Sequence, residues 1–140
     1  MEETARASGP HVAAVINTSP DTVDLLKDAL EKAGLLVVTG YTHDIRDGSL
    51  DLRSFVTTHR PDVIVYDLAP PYDRNWAFLQ HLRSTTLGGY RFVLTTANRR
   101  YVETLVGRDE RVYEVVGKAD DLDAIVQAVR EAVRARDVSE

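Results

Sequence analysis

Residues 63–68 read VIVYDL, apolar or aromatic on both alternation sets until a carboxylate arrives at Asp67. A run this short and β-branched reads as a strand covered on both faces. Such a strand needs helices above and below it, and the rest of the chain supplies them. Short β-branched runs at 11–16, 35–40, 91–96 and 112–116 alternate with amphipathic stretches. Five strands alternating with five helices require parallel strands joined by right-handed crossovers. With 140 residues the solution is an open doubly wound sheet, because a closed eight-unit barrel needs about 250 residues.

The helices are marked by spacing and by their ends. Val23, Leu26, Leu30 and Ala33 share one face of a helix over residues 21–33. Ser19 suits its N-cap, Pro20 its first position and Gly34 its stop. A polar stretch containing Asp47 and Gly48 leads into a short helix over 49–59 with Leu50, Phe55 and Val56 inward, ended by Pro61. Trp76, Phe78, Leu79 and Leu82 mark a helix ending near Ser84. Asn98 caps one that carries Tyr101, Val102, Leu105 and Val106. The last helix shows a single stripe, Leu122, Ile125, Val126, Val129 and Val133, with Asp120 and Asp121 at its positive end. Residues 1–10 read as a flexible tail, 11–136 as one domain and 137–140 as a short C-terminal tail. With so little chain after the last helix, a stand-alone module without an attached output domain is expected.

Composition narrows the function. The net charge is −5 without a basic stripe, which argues against nucleic acid as a partner. There is no cysteine, so thiolate metal sites and a cysteine nucleophile are excluded. No apolar run approaches a membrane span, and the polar start lacks a signal-peptide core, so a cytoplasmic protein is expected. The four histidines, His11, His43, His59 and His81, have no metal-ligand spacing. No serine sits in a nucleophile elbow, and enzymatic activity is not expected. The segment NTSPDT offers donors at a helix start but no glycine and two repelling aspartates, a poor flavin phosphate loop.

In an open sheet of flavodoxin-like order 2-1-3-4-5, chemistry belongs at the carboxyl ends of the strands beside the switch point between the first and third. Those ends carry Asn17, Thr18 and Ser19, and Asp67. A carboxylate closing an apolar strand must reach solvent, a cation or hydrogen-bond donors. Either it caps the next turn or it belongs to a site. Thr96 ends the fourth strand and Lys118 follows the fifth, so a hydroxyl and an ammonium project from the same edge. Pro71 follows Asp67 by four positions.

With these residues the chain resembles the receiver domain of two-component response regulators, the CheY-like family, over about residues 11–134. The resemblance implies that Asp67 is a phosphoacceptor fed by a sensor histidine kinase. It also implies that Thr96 and Ala97 are the switch threonine and the small residue beside it, and that Lys118 contacts the acceptor or its phosphate. Output would then pass through protein contacts, with the last two helices and the fifth strand as the face for a partner or a second copy. Three positions depart from the pattern. Where receivers carry an acidic pair holding magnesium, this chain has Asn17 and Thr18. Ala119 replaces the proline after the lysine, and Val115 stands where an aromatic is expected, with Tyr113 two positions earlier.

Magnesium prefers carboxylate oxygens, so Asp67 alone is a weak ligand; Asp21 and Asp73, in adjoining loops, read more simply as helix-start or turn charges. Two functions therefore stay open. One is a phosphoacceptor; the other is a pseudo-receiver, a phosphorylation-independent docking or small-ligand module. Trp76 and Tyr72 after the Asp67 loop are either a contact surface or core, with core the simpler reading for Trp76.

Overall fold

The computed structural model describes residues 10–117 and 122–139. The element order is β1 (Val12–Asn17), α1 (Pro20–Lys32), β2 (Leu36–Tyr41), α2 (Thr42–Asp47), α3 (Leu52–His59), β3 (Val63–Asp67), α4 (Tyr72–Thr85), β4 (Phe92–Thr96), α5 (Arg99–Val106), β5 (Val112–Gly117) and α6 (Leu122–Ser139). All strand pairs are parallel, and the sheet order is β2-β1-β3-β4-β5. This is the doubly wound α/β sheet expected from the alternation. β1, β3 and β4 are almost wholly buried, whereas the edge strands β2 and β5 are not.

Strand parity divides the core in two. Ala13, Val15, Val63, Val65 and Val93 pack with Val23, Leu26 and Leu30 of α1 and with Ile125, Val129 and Val133 of α6. Ala14, Ile16, Ile64, Tyr66, Phe92 and Leu94 face the other way, onto Phe55 and Val56 of α3, Leu79 and Leu82 of α4 and Val102 of α5. Fully burying one such aliphatic side chain contributes about 1.5–3 kcal/mol, and truncating Leu30, which has no exposed surface, should cost about 2–5. Trp76 and Tyr72 pack partly buried against the second layer, so Trp76 serves the core.

The helix ends follow their capping residues. Ser19 Oγ accepts from Thr22 N at 3.3 Å, Asp51 Oδ1 from Ser54 N at 3.2 Å and Asn98 Oδ1 from Tyr101 N at 3.2 Å. Two local expectations shift. The helix over 49–59 starts only at Leu52, because Asp51 caps it. The stretch before it is not a loop but the six-residue helix α2. It is closed by Gly48 at φ 85°, where a side chain would be strained. Its single apolar side chain, Ile45, leaves no periodicity to read. Packing of Ile45 against the second core layer holds it.

Candidate functional site

Asp67 ends β3 with 4 % of its surface exposed, at the sheet's switch point beside the end of β1. It pairs in register with Thr95 of β4, and Thr95 Oγ1 donates to Asp67 Oδ1 at 2.9 Å. Thr95 was not singled out from the sequence. The adjacent Thr96 is fully buried with the opposite parity, and its Oγ1 accepts from Asn98 N at 3.2 Å. Ala97 follows, exposed. Lys118, with Ala119, Asp120 and Asp121, lies outside the described residues. Parity explains the arrangement: Val65, Asp67, Val93 and Thr95 fall on alternate positions of one face, Leu94 and Thr96 on the other.

Asn17 ends β1 and Thr18 follows it, where the resemblance expects an acidic pair. Asn17 is 1 % exposed, and its Oδ1 accepts from the backbone N–H groups of Thr18 (2.6 Å) and Ser19 (3.1 Å). The side-chain oxygen thus closes the turn that leads into α1. Thr18 is exposed. Asp21 is exposed in the first turn of α1, and Asp73 accepts a hydrogen bond from the Tyr101 hydroxyl, bridging α4 to α5.

A cavity of about 460 Å³ opens at Asp67. Its walls come from the ends of β1, β2 and β3: Thr18, then Thr42, His43 and Arg46, then Tyr66, Ala69, Pro70 and Pro71, with Arg74 and Asn75 of α4. The cavity therefore extends toward β2, away from Thr96 and Ala97, and neither Asp21 nor Asp73 lines it. Among the described residues Asp67 is the only carboxylate on its wall, which also carries the side chains of Arg46 and Arg74. Arg46 Nη2 donates to Asn75 Oδ1 at 2.7 Å, and Asn75 Nδ2 donates to Ala69 O at 2.7 Å. The Arg46 guanidinium also lies over the Phe78 ring at 4.1 Å. Burial pushes the Tyr66 hydroxyl up to about 12, with Arg46 pulling it down and Asp67 pushing it further up.

This donor set fits magnesium poorly. A hard dication wants several carboxylate or carbonyl oxygens, and the described residues of the wall offer one carboxylate and two arginines, while the Asn17 oxygen is already engaged. Among the described residues, no three His, Cys, Asp or Glu side chains gather where they could hold a metal ion. No described helix is long and apolar enough to cross a membrane.

No protein-family model matches the chain, and neither does any curated protein. Solved structures do. The chain is similar to a response regulator from Thermotoga maritima, with a TM-score of 0.68 at 15% identity over 90% of this chain and 99% of that one. It is similar to a sensor protein from Polaromonas sp. JS666, with a TM-score of 0.71 at 18% identity over 91% and 99%. A further T. maritima response regulator, solved in complex with magnesium and a beryllium fluoride, matches with a TM-score of 0.64 at 20% identity over 87% and 98%.

The fold is the CheY-like receiver fold.

On that fold Asp67 sits at the carboxyl edge, as the strand pattern anticipated. The receiver scaffold here carries arginines around the carboxylate and an amide in its turn. At these identities the likeness concerns the backbone arrangement, and the role of each side chain rests on its own geometry.

Proposed function

We propose that this chain is a receiver-like signalling module whose Asp67 edge is switched by a bound ligand or partner, without a magnesium-dependent phosphorylation cycle. The observation that carries this reading is the cavity wall: Arg46 and Arg74 line it together with Asp67, and among the described residues no second carboxylate does. Phosphoryl transfer to a carboxylate crowds negative oxygens together, and a metal ion ordinarily neutralises them. Replacing an acidic pair by Asn17 and Thr18 removes attractions for a dication of about 4 kcal/mol each before desolvation, at 4 Å and an effective dielectric near 20. Water in the vacated coordination sites offsets part of that loss.

A second reading keeps Asp67 as the phosphoacceptor of a histidine kinase, with Thr96, Ala97 and Lys118 sensing the phosphoryl group. Its support is the carboxylate itself, held by Thr95 at the mouth of an open cavity. In either case output runs through protein contacts. The surface formed by α5, β5 and α6, where Tyr101 and Tyr113 are exposed, is the proposed face.

The deciding experiment is a magnesium titration with acetyl phosphate and with beryllofluoride. It uses the wild type, Asp67→Asn and the double variant Asn17→Asp/Thr18→Asp, read by mass spectrometry of the phosphoprotein. The wild type should stay unmodified at ordinary magnesium concentrations, and the double variant should gain modification. Rapid magnesium-dependent modification of wild-type Asp67 would establish the second reading instead.

A further inference from the structure

We propose that the Asp67 cavity binds a small phosphate-bearing molecule: Arg46 and Arg74 hold the phosphate, and Asp67 accepts a hydrogen bond from a hydroxyl on the rest of the ligand. This rests on the reading of the Asp67 edge as a ligand-responsive site and names the ligand's chemistry.

Arg46 is the first argument. An exposed arginine normally samples many rotamers, yet this one is tied down twice: by its hydrogen bond to Asn75, itself tethered to Ala69 O, and by its stack on Phe78. One of five guanidinium N–H groups is used in that tether, which leaves a fixed planar fork beside the cavity. Such preorganisation favours bidentate recognition of a phosphate or carboxylate. Arg46 and Arg74 make no ion pair among the described residues, so the charge on this wall is not already neutralised by a surface partner.

Thr42 is the second, independent observation. Its residue is 7 % exposed, its Oγ1 is buried without a hydrogen-bond partner, and it lines the same cavity. Buried hydroxyls in folded proteins are nearly always satisfied, so an unpaired one on a cavity wall points to an occupant that bonds it. A phosphate oxygen accepts from a hydroxyl, and the adjoining arginines favour it there.

The alternatives fit less well. Among the described residues of the wall, a metal ion would meet two guanidinium groups for one carboxylate. An apolar ligand would desolvate both arginines with nothing in return. Inorganic phosphate alone leaves most of about 460 Å³ unfilled, a volume within the range of small organic ligand sites, about 300–1,000 Å³. A bare dianion would also face Asp67 unfavourably. A phosphomonoester carrying a hydroxyl resolves that conflict, because its neutral end donates to the carboxylate.

Glycerol 3-phosphate and inorganic phosphate serve as probes, with glycerol as the control. Binding is measured by calorimetry and by amide NMR shifts on the full chain in the presence of a metal chelator. Glycerol 3-phosphate should bind more tightly than inorganic phosphate and move the amides of Thr18, Thr42, Arg46 and Asn75. Glycerol should not bind. Arg46→Gln and Arg74→Gln should each weaken binding by about tenfold or more while the amide spectrum shows the fold retained, as expected for loss of a charge-assisted contact. Absence of binding by both phosphate probes, affinity unchanged in both arginine variants, or a requirement for magnesium would each overturn the proposal. Neither probe is a phosphodonor, so a negative result removes the ligand class and leaves the signalling reading standing. Phosphorylation of wild-type Asp67 in the separate assay removes that reading, while phosphate binding remains measurable in Asp67→Asn.

Discussion

Thr95 Oγ1 donates to Asp67 Oδ1 at 2.9 Å between two side chains that are both almost wholly buried and face each other in register across β3 and β4. The neighbouring Thr96, the threonine that the resemblance singles out, bonds backbone instead. The two hydroxyls are adjacent in sequence and belong to opposite faces of the sheet. Of these two threonines it is therefore Thr95 that bonds the carboxylate.

Thr95→Val should destabilise the protein by about 1–3 kcal/mol, because it removes a hydroxyl bonded to a buried carboxylate. A double-mutant cycle with Asp67→Asn should show coupling of about 1 kcal/mol for Thr95 and close to none for Thr96, read from denaturant melts. Equal coupling for the two threonines would place the functional hydroxyl elsewhere.

Arg83 of α4 and Asp109 in the loop before β5 form a two-point pair, with Nη1 to Oδ2 at 2.6 Å and Nη2 to Oδ1 at 2.9 Å. Both side chains are mostly covered, at 12% and 20% exposure, and the guanidinium lies near the Phe92 ring. Arg83→Met should cost about 2 kcal/mol, between the values for exposed and buried pairs. The hydrogen bonds from Arg83 hold the Asp109 carboxyl below its ordinary value, with burial opposing them. A depressed folded value means that the contribution is complete above the unfolded carboxyl value of about 3.9 and fades as pH falls through the folded one. The stability gap between wild type and Arg83→Met should therefore be constant near neutral pH and close only in acid. Melts at stepped pH measure it, and a gap that instead closed above pH 5 would contradict the pairing.

Tyr66 predicts the alkaline side. Its hydroxyl value is raised to about 12, chiefly by burial, against about 10 in the unfolded chain. For a raised group the stability is fully present below the unfolded value and is lost as pH climbs through the folded one. Between pH 10 and 12 the wild type should lose about 2–3 kcal/mol on this account, and Tyr66→Phe should flatten that part of the curve. Tyrosinate absorbance should show Tyr66 ionising late among the six tyrosines. Ionisation near pH 10 in the folded protein would mean that the phenol is open to solvent.

The architecture was largely legible in the chain itself. Hydrophobic period, capping residues and breakers are local signals, so the alternation of strands and helices, Ser19 and Asn98 as caps and Asp67 as the last residue of a buried strand could all be read along the sequence. Asn17 and Thr18 at the end of the first strand were equally visible. Tertiary structure decided the rest. Thr95 and Thr96 are chemically identical neighbours, and only the register of β4 against β3 determines which hydroxyl meets Asp67. The helix at Thr42–Asp47 has one apolar residue to hold it and forms because that residue finds a core assembled from distant segments. Arg46 and Asn75 stand 29 positions apart and carry no shared motif. They meet because right-handed crossovers bring the ends of β1, β2 and β3 to one edge, and the charge of the cavity is set there by side chains whose proximity no local pattern encodes.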